Sequence, residues 1–167
     1  MEAMQAAMQA AMTPGEFHRR LEPMVGTFDV TGRMWMDPSA PPTESQGTSE
    51  NRWILGGRFV EQRFRGDFMG MPFEGIGHIG YDNVLKKYVS SWIDSMGTGI
   101  MPAQGSLKGD GSIEFWAEYP DPMTGKMMKF RELFKIVDAD HHTMEMFTLR
   151  DDGSEYRNME LEYRRRK

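Results

Sequence analysis

The chain of 167 residues has no cysteine, which excludes disulfides, thiolate nucleophiles and thiolate-bound metals and leaves no redox mark of its compartment. It has no apolar run of membrane-spanning length. It also lacks the basic leader and continuous apolar stretch of a secretory signal, so a cytoplasmic protein is expected. Positive charge is in deficit: 20 Lys and Arg against 25 Asp and Glu give a formal net charge of −5. A nucleic-acid partner is therefore not expected, since such binders carry a basic face. The basic end Arg164-Arg165-Arg166-Lys167 reads as a solvated tail. After residue 23 there is no helical period either, which excludes parallel βαβ units.

What is present is a succession of corners and short alternating segments. The corners are Asp37 to Pro42, Gly56-Gly57, Met69 to Pro72, Tyr81 to Asn83, Met96 to Gly99, Gly109 to Gly111, Asp121 to Gly125, Asp138 to Asp140 and Asp151 to Gly153. Each is built from residues that supply positive φ, fix φ or form local side-chain turns. Between them, period two is clear. Phe28, Val30, Gly32, Met34 and Met36 share a face, as do Ile113, Phe115, Ala117 and Tyr119. Phe130, Glu132, Phe134 and Ile136 do so in the next segment, and Met144 with Met146 in the one after. Alternation at this spacing means antiparallel sheet. A meander of this length has edges to protect, and closure protects them. The expected fold is all-β: a closed or nearly closed antiparallel barrel of eight to ten strands, with a two-sheet sandwich as the alternative. Ahead of it, residues 1–12 read as a Met/Ala-rich leader helix with Met4, Met8 and Met12 on one face. Residues 13–167 form the single barrel domain. Its short capping helix spans 14–22, with Thr13 as N-cap and Pro14 at the first position.

Several motifs invite chemistry. Gly75-Ile-Gly-His-Ile-Gly80 matches G-x-G-x-x-G, but a strand follows where the dinucleotide fingerprint requires a helix. The glycines are expected to mark a bend or bulge. Of the four histidines, His78 lies on a strand and would suit an axial haem ligand if it pointed inward. Asp138, Asp140, His141 and His142 read as an exposed polar corner. No histidine motif or second cluster completes a metal site, and no nucleophile elbow occurs. Asp94 and Glu132 lie on aromatic-rich faces. If both turn inward they are either an acid–base pair separated by environment or partners of arginines such as Arg63 and Arg131. Methionine is abundant, 17 residues. Met34/Met36, Met69/Met71 and Met144/Met146 are spaced to share strand faces, a pattern that suits Cu(I) or an adaptable apolar lining. No cofactor is expected, haem and copper being the two that the residues would accommodate.

The run Gly77-His-Ile-Gly-Tyr-Asp-Asn83 followed by Tyr88-Val-Ser-Ser-Trp-Ile-Asp-Ser-Met-Gly-Thr-Gly99 resembles the bacterial family called "domain of unknown function 1579". So do Leu21-Glu-Pro-Met-Val-Gly-Thr27, Met34-Trp-Met-Asp37, Asn51-Arg-Trp-Ile-Leu-Gly-Gly-Arg-Phe59, Phe68-Met-Gly-Met-Pro-Phe-Glu-Gly75 and Asp121-Pro-Met-Thr-Gly-Lys126. The resemblance covers about Glu16 to Tyr163 and omits the leader. It implies a calycin or lipocalin-like barrel, in which Val25-Gly26-Thr27-Phe28 is similar to the Gly-x-Trp first strand with Phe in place of Trp. Haem-binding barrels of the nitrobindin type are more distant look-alikes. It implies no catalytic residues.

The function expected is binding of a small, largely apolar molecule inside the barrel. The face Tyr88, Ser90, Trp92, Asp94, Met96 mixes aromatic bulk with placed polar groups, as the wall of a ligand cavity does. Gly97 and Gly99 would allow a tight connection whose Thr98 meets the ligand's polar end. The candidate binding residues are Tyr88, Trp92, Asp94, Thr98, Tyr119, Phe130, Glu132, Met144 and Met146. Two alternatives stand beside this: an enzyme using the Asp94–Glu132 pair, and a filled structural barrel that forms a homodimer through its Met-rich leader.

Overall fold

Each of the nine corners turns the chain back on itself. The computed structural model describes residues 1–167 and contains ten strands: β1 (Gly26–Met34), β2 (Thr43–Ile54), β3 (Phe59–Phe68), β4 (Met71–Asp82), β5 (Lys87–Asp94), β6 (Met101–Leu107), β7 (Ile113–Pro120), β8 (Met127–Asp138), β9 (His141–Leu149) and β10 (Glu155–Arg165). Gly56-Gly57, Gly109 to Gly111 and Asp151 to Gly153 all lie in turns between adjacent antiparallel strands. Gly111 and Gly153 sit at φ +85 and +83, a backbone region that other L-residues adopt only under strain. β10 pairs back onto β1 from Phe28↔Arg165 to Met34↔Met159. The strands therefore form one closed barrel in sequence order and not a sandwich. Closure satisfies every strand's backbone groups and leaves no edge.

The up-and-down order gives the barrel two unlike ends. At the end where β1 begins, the N-terminal segment forms a plug. Leu21 and Met24 are fully buried in one core cluster with Val60, Ile79, Tyr88, Ile113 and Phe115. Polar latches hold the plug: Asn51 Nδ2 donates to the Met24 carbonyl at 2.8 Å and Tyr88 Oη to the Phe17 carbonyl at 2.9 Å. Arg165 lies over the Phe28 ring and donates to the carbonyls of Val25, Pro23 and Ala139. The base of the first strand is thus tied to the end of the last.

The plug differs in detail from the single helix expected over 14–22. The leader helix α1 spans Glu2–Met12, a one-turn helix α2 spans Glu16–Arg19, and a 3-10 turn covers Glu22–Met24. Thr13 is not the N-cap of α2. Because α1 runs up to it, its hydroxyl donates back to the Gln9 carbonyl at 2.7 Å. Gly15 takes the cap position, its N–H donating to His18 Nδ1 at 3.0 Å.

No residue of α1 is buried. The helix is held to the barrel by side chains reaching its last carbonyls, Arg58 to Met12 and Asn83 to Ala10 and Ala11. Deleting residues 1–12 should therefore leave the sheet intact and move the melting temperature by only a few degrees, since it removes no buried apolar area. Circular dichroism melts of the two chains check this. Loss of the β signal would show that the leader belongs to the core.

Candidate functional site: a cavity open at one end of the barrel

Opposite the plug the barrel stays open, and a cavity of about 350 Å³ runs inward from that mouth. This is within the range of pockets that hold small molecules. Fourteen of its 24 lining residues are hydrophobic, so the wall is apolar with a few polar groups set into it. Near the mouth stand Met34, Phe68, Phe73, Met96 and Met101. Phe134, Met144, Met146, Met159 and Leu161 make up the rest of the apolar wall. The polar residues of the lining are Arg33, Ser45, Gln62, Asp67, His78, Ser90, Ser91, Asp94 and Glu132, to which Trp92 and Tyr163 add an N–H and a hydroxyl.

Trp92 explains the glycine motif on β4. Gly77 pairs with Trp92 and Gly75 with Asp94 across the β4–β5 ladder, and the indole lies flat over both glycines. A Cβ on Gly75 would run into the ring, and one on Gly77 would meet it at 3.0 Å. The motif is thus neither a phosphate cradle nor a bulge. Its first two glycines leave room for an aromatic side chain folded against the barrel wall, and Gly80 makes similar room for Phe59. Once seated, the indole Nε1 donates to Asp94 Oδ2 at 2.8 Å, and Asp94 Oδ1 accepts the Met96 N–H at 2.9 Å. The carboxylate at the mouth is therefore already engaged within its own strand.

Glu132 is in a different situation. It lies midway along β8, opposite Phe115 on β7 and Met146 on β9, and is 6% exposed. No protein donor makes a hydrogen bond or ion pair with its carboxyl. Burial alone pushes its pKa up to about 7 from 4.5, because a low-dielectric surround disfavours the charged form. Asp94 contributes nothing to that shift, so the two carboxyls share the cavity without behaving as a coupled pair. Neither expected arginine partner reaches inside. Arg63 pairs with Glu61 and Arg131 with Glu155 and Glu114, all on the outer surface, since both arginines occupy the alternate register positions.

Of the nine candidate residues, Trp92, Asp94, Glu132, Met144 and Met146 line the cavity. The other four do not. Tyr88 belongs to the plug end, its ring packed against Tyr81 and Phe17. Phe130 packs against the core clusters. Thr98 is exposed. Tyr119 folds onto the β5–β6 connection, where a Cβ on Gly99 would collide with its phenol. That contact, and not a tight turn with positive φ, is what Gly99 accommodates. The paired methionines also separate: Met34 lines the cavity, whereas Met36 lies beyond the end of β1 and is 76% exposed. Met69 and Met71 are exposed on the rim.

Two histidines need separate accounts. His78 faces outward, its Nδ1 at 3.3 Å from Ser91 Oγ and its Nε2 at 3.6 Å from Glu61, so it does not suit a ligand held inside. Ile79 and Gly77 take the inward positions. His142 is not part of an exposed corner. It is 1% exposed, stacked on Tyr163 at 4.4 Å and edge-on to Phe28 at 4.7 Å. Neither ring nitrogen has a partner, and burial first, then the positive charge of Arg165, lowers its pKa to about 4. The signal was available, since His142, Met144, Met146 and Thr148 extend one alternating face. The polar residues before His142 obscured where the strand begins. Tyr163, Gln62 and the phenylalanines of β3 and β4 also line the cavity without having been singled out, and around those phenylalanines Gly66, Asp67 and Gly70 break up the hydrophobic pattern.

A family model described as "Protein of unknown function (DUF1579)" matches residues 13–165, and the chain belongs to that family. Among solved structures it is similar to the crystal structure of Rv2717c from M. tuberculosis, with 16% identity and a TM-score of 0.64 over 93% of this chain and 100% of that one. That likeness is one of fold. A de novo designed fluorescence-activating β-barrel aligns at 20% identity and a TM-score of 0.48 over 85% of this chain and 93% of the design. No curated protein matches the sequence. No helix is long and apolar enough to cross a membrane.

Proposed function

We propose that this member of the DUF1579 family binds a small, largely apolar molecule inside its barrel. The observation that carries the reading is the cavity itself: about 350 Å³, closed below by the plug and open above, with an apolar wall interrupted by few polar groups. A structural barrel needs no such space, because native interiors are otherwise packed like organic crystals. The methionines support the same reading. Met34, Met101, Met144, Met146 and Met159 all line the cavity, and unbranched thioethers adapt their shape to varied guests. The closed barrel with an apolar interior is similar to the calycin-like architecture that the family resemblance implies.

Trp92 supplies the test. In a chain whose other tryptophans (Trp35, Trp53 and Trp116) are changed to Phe, an apolar probe entering the mouth should shift Trp92 emission and saturate at a defined stoichiometry. Trp92→Ala should weaken that probe by about 1–3 kcal/mol, the worth of one large buried contact. An intact fold with no saturable binding across a broad panel of probes would refute the reading.

A further inference from the structure

We infer that the ligand is an apolar molecule carrying one basic nitrogen, an amphiphilic or aromatic amine, whose ammonium pairs with the unpartnered carboxyl of Glu132. This rests on the proposed apolar-ligand function and narrows it by charge.

Glu132 is 6% exposed and borders the cavity. The elements packed against it offer no cation. β7 presents Phe115 opposite it and β9 presents Met146. Tyr163 on β10 is near enough for its ionisation to be opposed by the Glu132 charge. His142, further toward the plug, is held neutral by burial. Gln62 on β3 has a buried Nε2 with no acceptor. Of the two basic residues in the wall, Arg33 is paired with Glu160 and His78 faces outward. Three carboxyls therefore border the space: Glu132 inside, and Asp67 and Asp94 toward the mouth. Asp67 accepts the Gly70 N–H at 2.8 Å, and Asp94 is held as described above.

A fatty acid would bring a fourth carboxylate into this field and leave Glu132 unpaired. A neutral guest leaves Glu132 to carry its proton. An ammonium supplies the counter-charge that the protein withholds, and a buried charge is tolerated only when paired. Burial raises the proton affinity of Glu132, and no partner offsets it. Because the pairing requires the carboxylate, amine binding should displace that proton.

The test uses three probes with the same tail, decylamine, decanol and decanoate, titrated calorimetrically into the full chain between pH 5.5 and 8. At pH 7.5 decylamine should bind at least about tenfold more tightly than either of the others. Its affinity should rise with pH up to about 7, and binding near pH 7 should release a fraction of a proton, read from titrations in buffers of different ionisation heat. Glu132→Gln should remove decylamine's advantage over decanol, since truncating one partner of a buried charge pair takes away the pairing, and should abolish the pH dependence. If decanol or decanoate binds as tightly as decylamine, or if Glu132→Gln keeps the preference, the amine inference is overturned while the apolar cavity stands. If none of the three binds to the folded chain, the underlying function is overturned with it.

Discussion

Glu132→Gln should raise the stability of the protein at pH 8 by about 3 kcal/mol and leave it nearly unchanged at pH 4. The direction follows from proton linkage. Glu132 takes up its proton at about pH 7 in the folded chain, against 4.5 for an ordinary glutamate. Between those values the folded state holds a proton that the unfolded chain releases. Raising the pH through this window therefore favours unfolding, by about 1.4 kcal/mol per pH unit. The loss is complete above pH 7. His142 works in the opposite sense, because its pKa falls from 6.5 to about 4 on folding. Below pH 6.5 the unfolded chain binds a proton that the folded one refuses, and acid favours unfolding until about pH 4. From pH 4.5 to 6.5 the two contributions cancel in the native chain. Each single variant should uncover the other. Glu132→Gln should show stability climbing from pH 4 to 6.5, and His142→Phe stability falling from pH 4.5 to 7. Urea denaturation of the three chains across this range measures the differences between them, from which the outer ion pairs drop out. Differences that do not vary with pH would mean that neither group is buried as described.

Gly75→Ala should displace Trp92 and destabilise the barrel by about 1–3 kcal/mol, the usual cost of forcing extra volume into a packed contact. The added methyl would occupy the space of the indole. The ring must then leave its seat, and its hydrogen bond to Asp94 is lost. In the single-tryptophan background the emission should shift to the red and probe affinity should fall. Gly109→Ala is the control. Its Cβ would meet nothing within 4 Å and its φ is not positive, so stability should stay within about 0.5 kcal/mol of the parent. Equal behaviour of the two variants would contradict the seating of Trp92 on the glycines.

Part of the candidate site was legible in advance, for a reason that also explains the rest. Trp92, Asp94, Glu132, Met144 and Met146 could be placed because they stand on alternating segments, where one known inward residue assigns the others. Alternation gives the face of a residue but not its depth. Tyr88 and Phe130 are on inward faces, yet Tyr88 packs at the plugged end and Phe130 against the core. Which end is plugged depends on where residues 13–24 dock, and no local pattern encodes that. His142 differs from its expected place for another reason: the polar residues Asp138 to His141 just before it read as a corner, whereas its strand partner Tyr163 turns it inward. Gly77↔Trp92 and His142↔Tyr163 fix the registers of β4 on β5 and of β9 on β10.

The local chemistry of the chain determined its class. Turn residues at nine corners, period-two segments between them and no helical period after residue 23 require an antiparallel meander, because φ preferences and side-chain alternation act over a few residues at a time. Tertiary structure decided everything that depends on groups far apart in sequence. It closed β10 onto β1 and laid Trp92 over two glycines of the neighbouring strand. Only then was Glu132 left buried beside open space without a partner, since the environment of a carboxyl is set by what surrounds it in three dimensions and not by its neighbours along the chain.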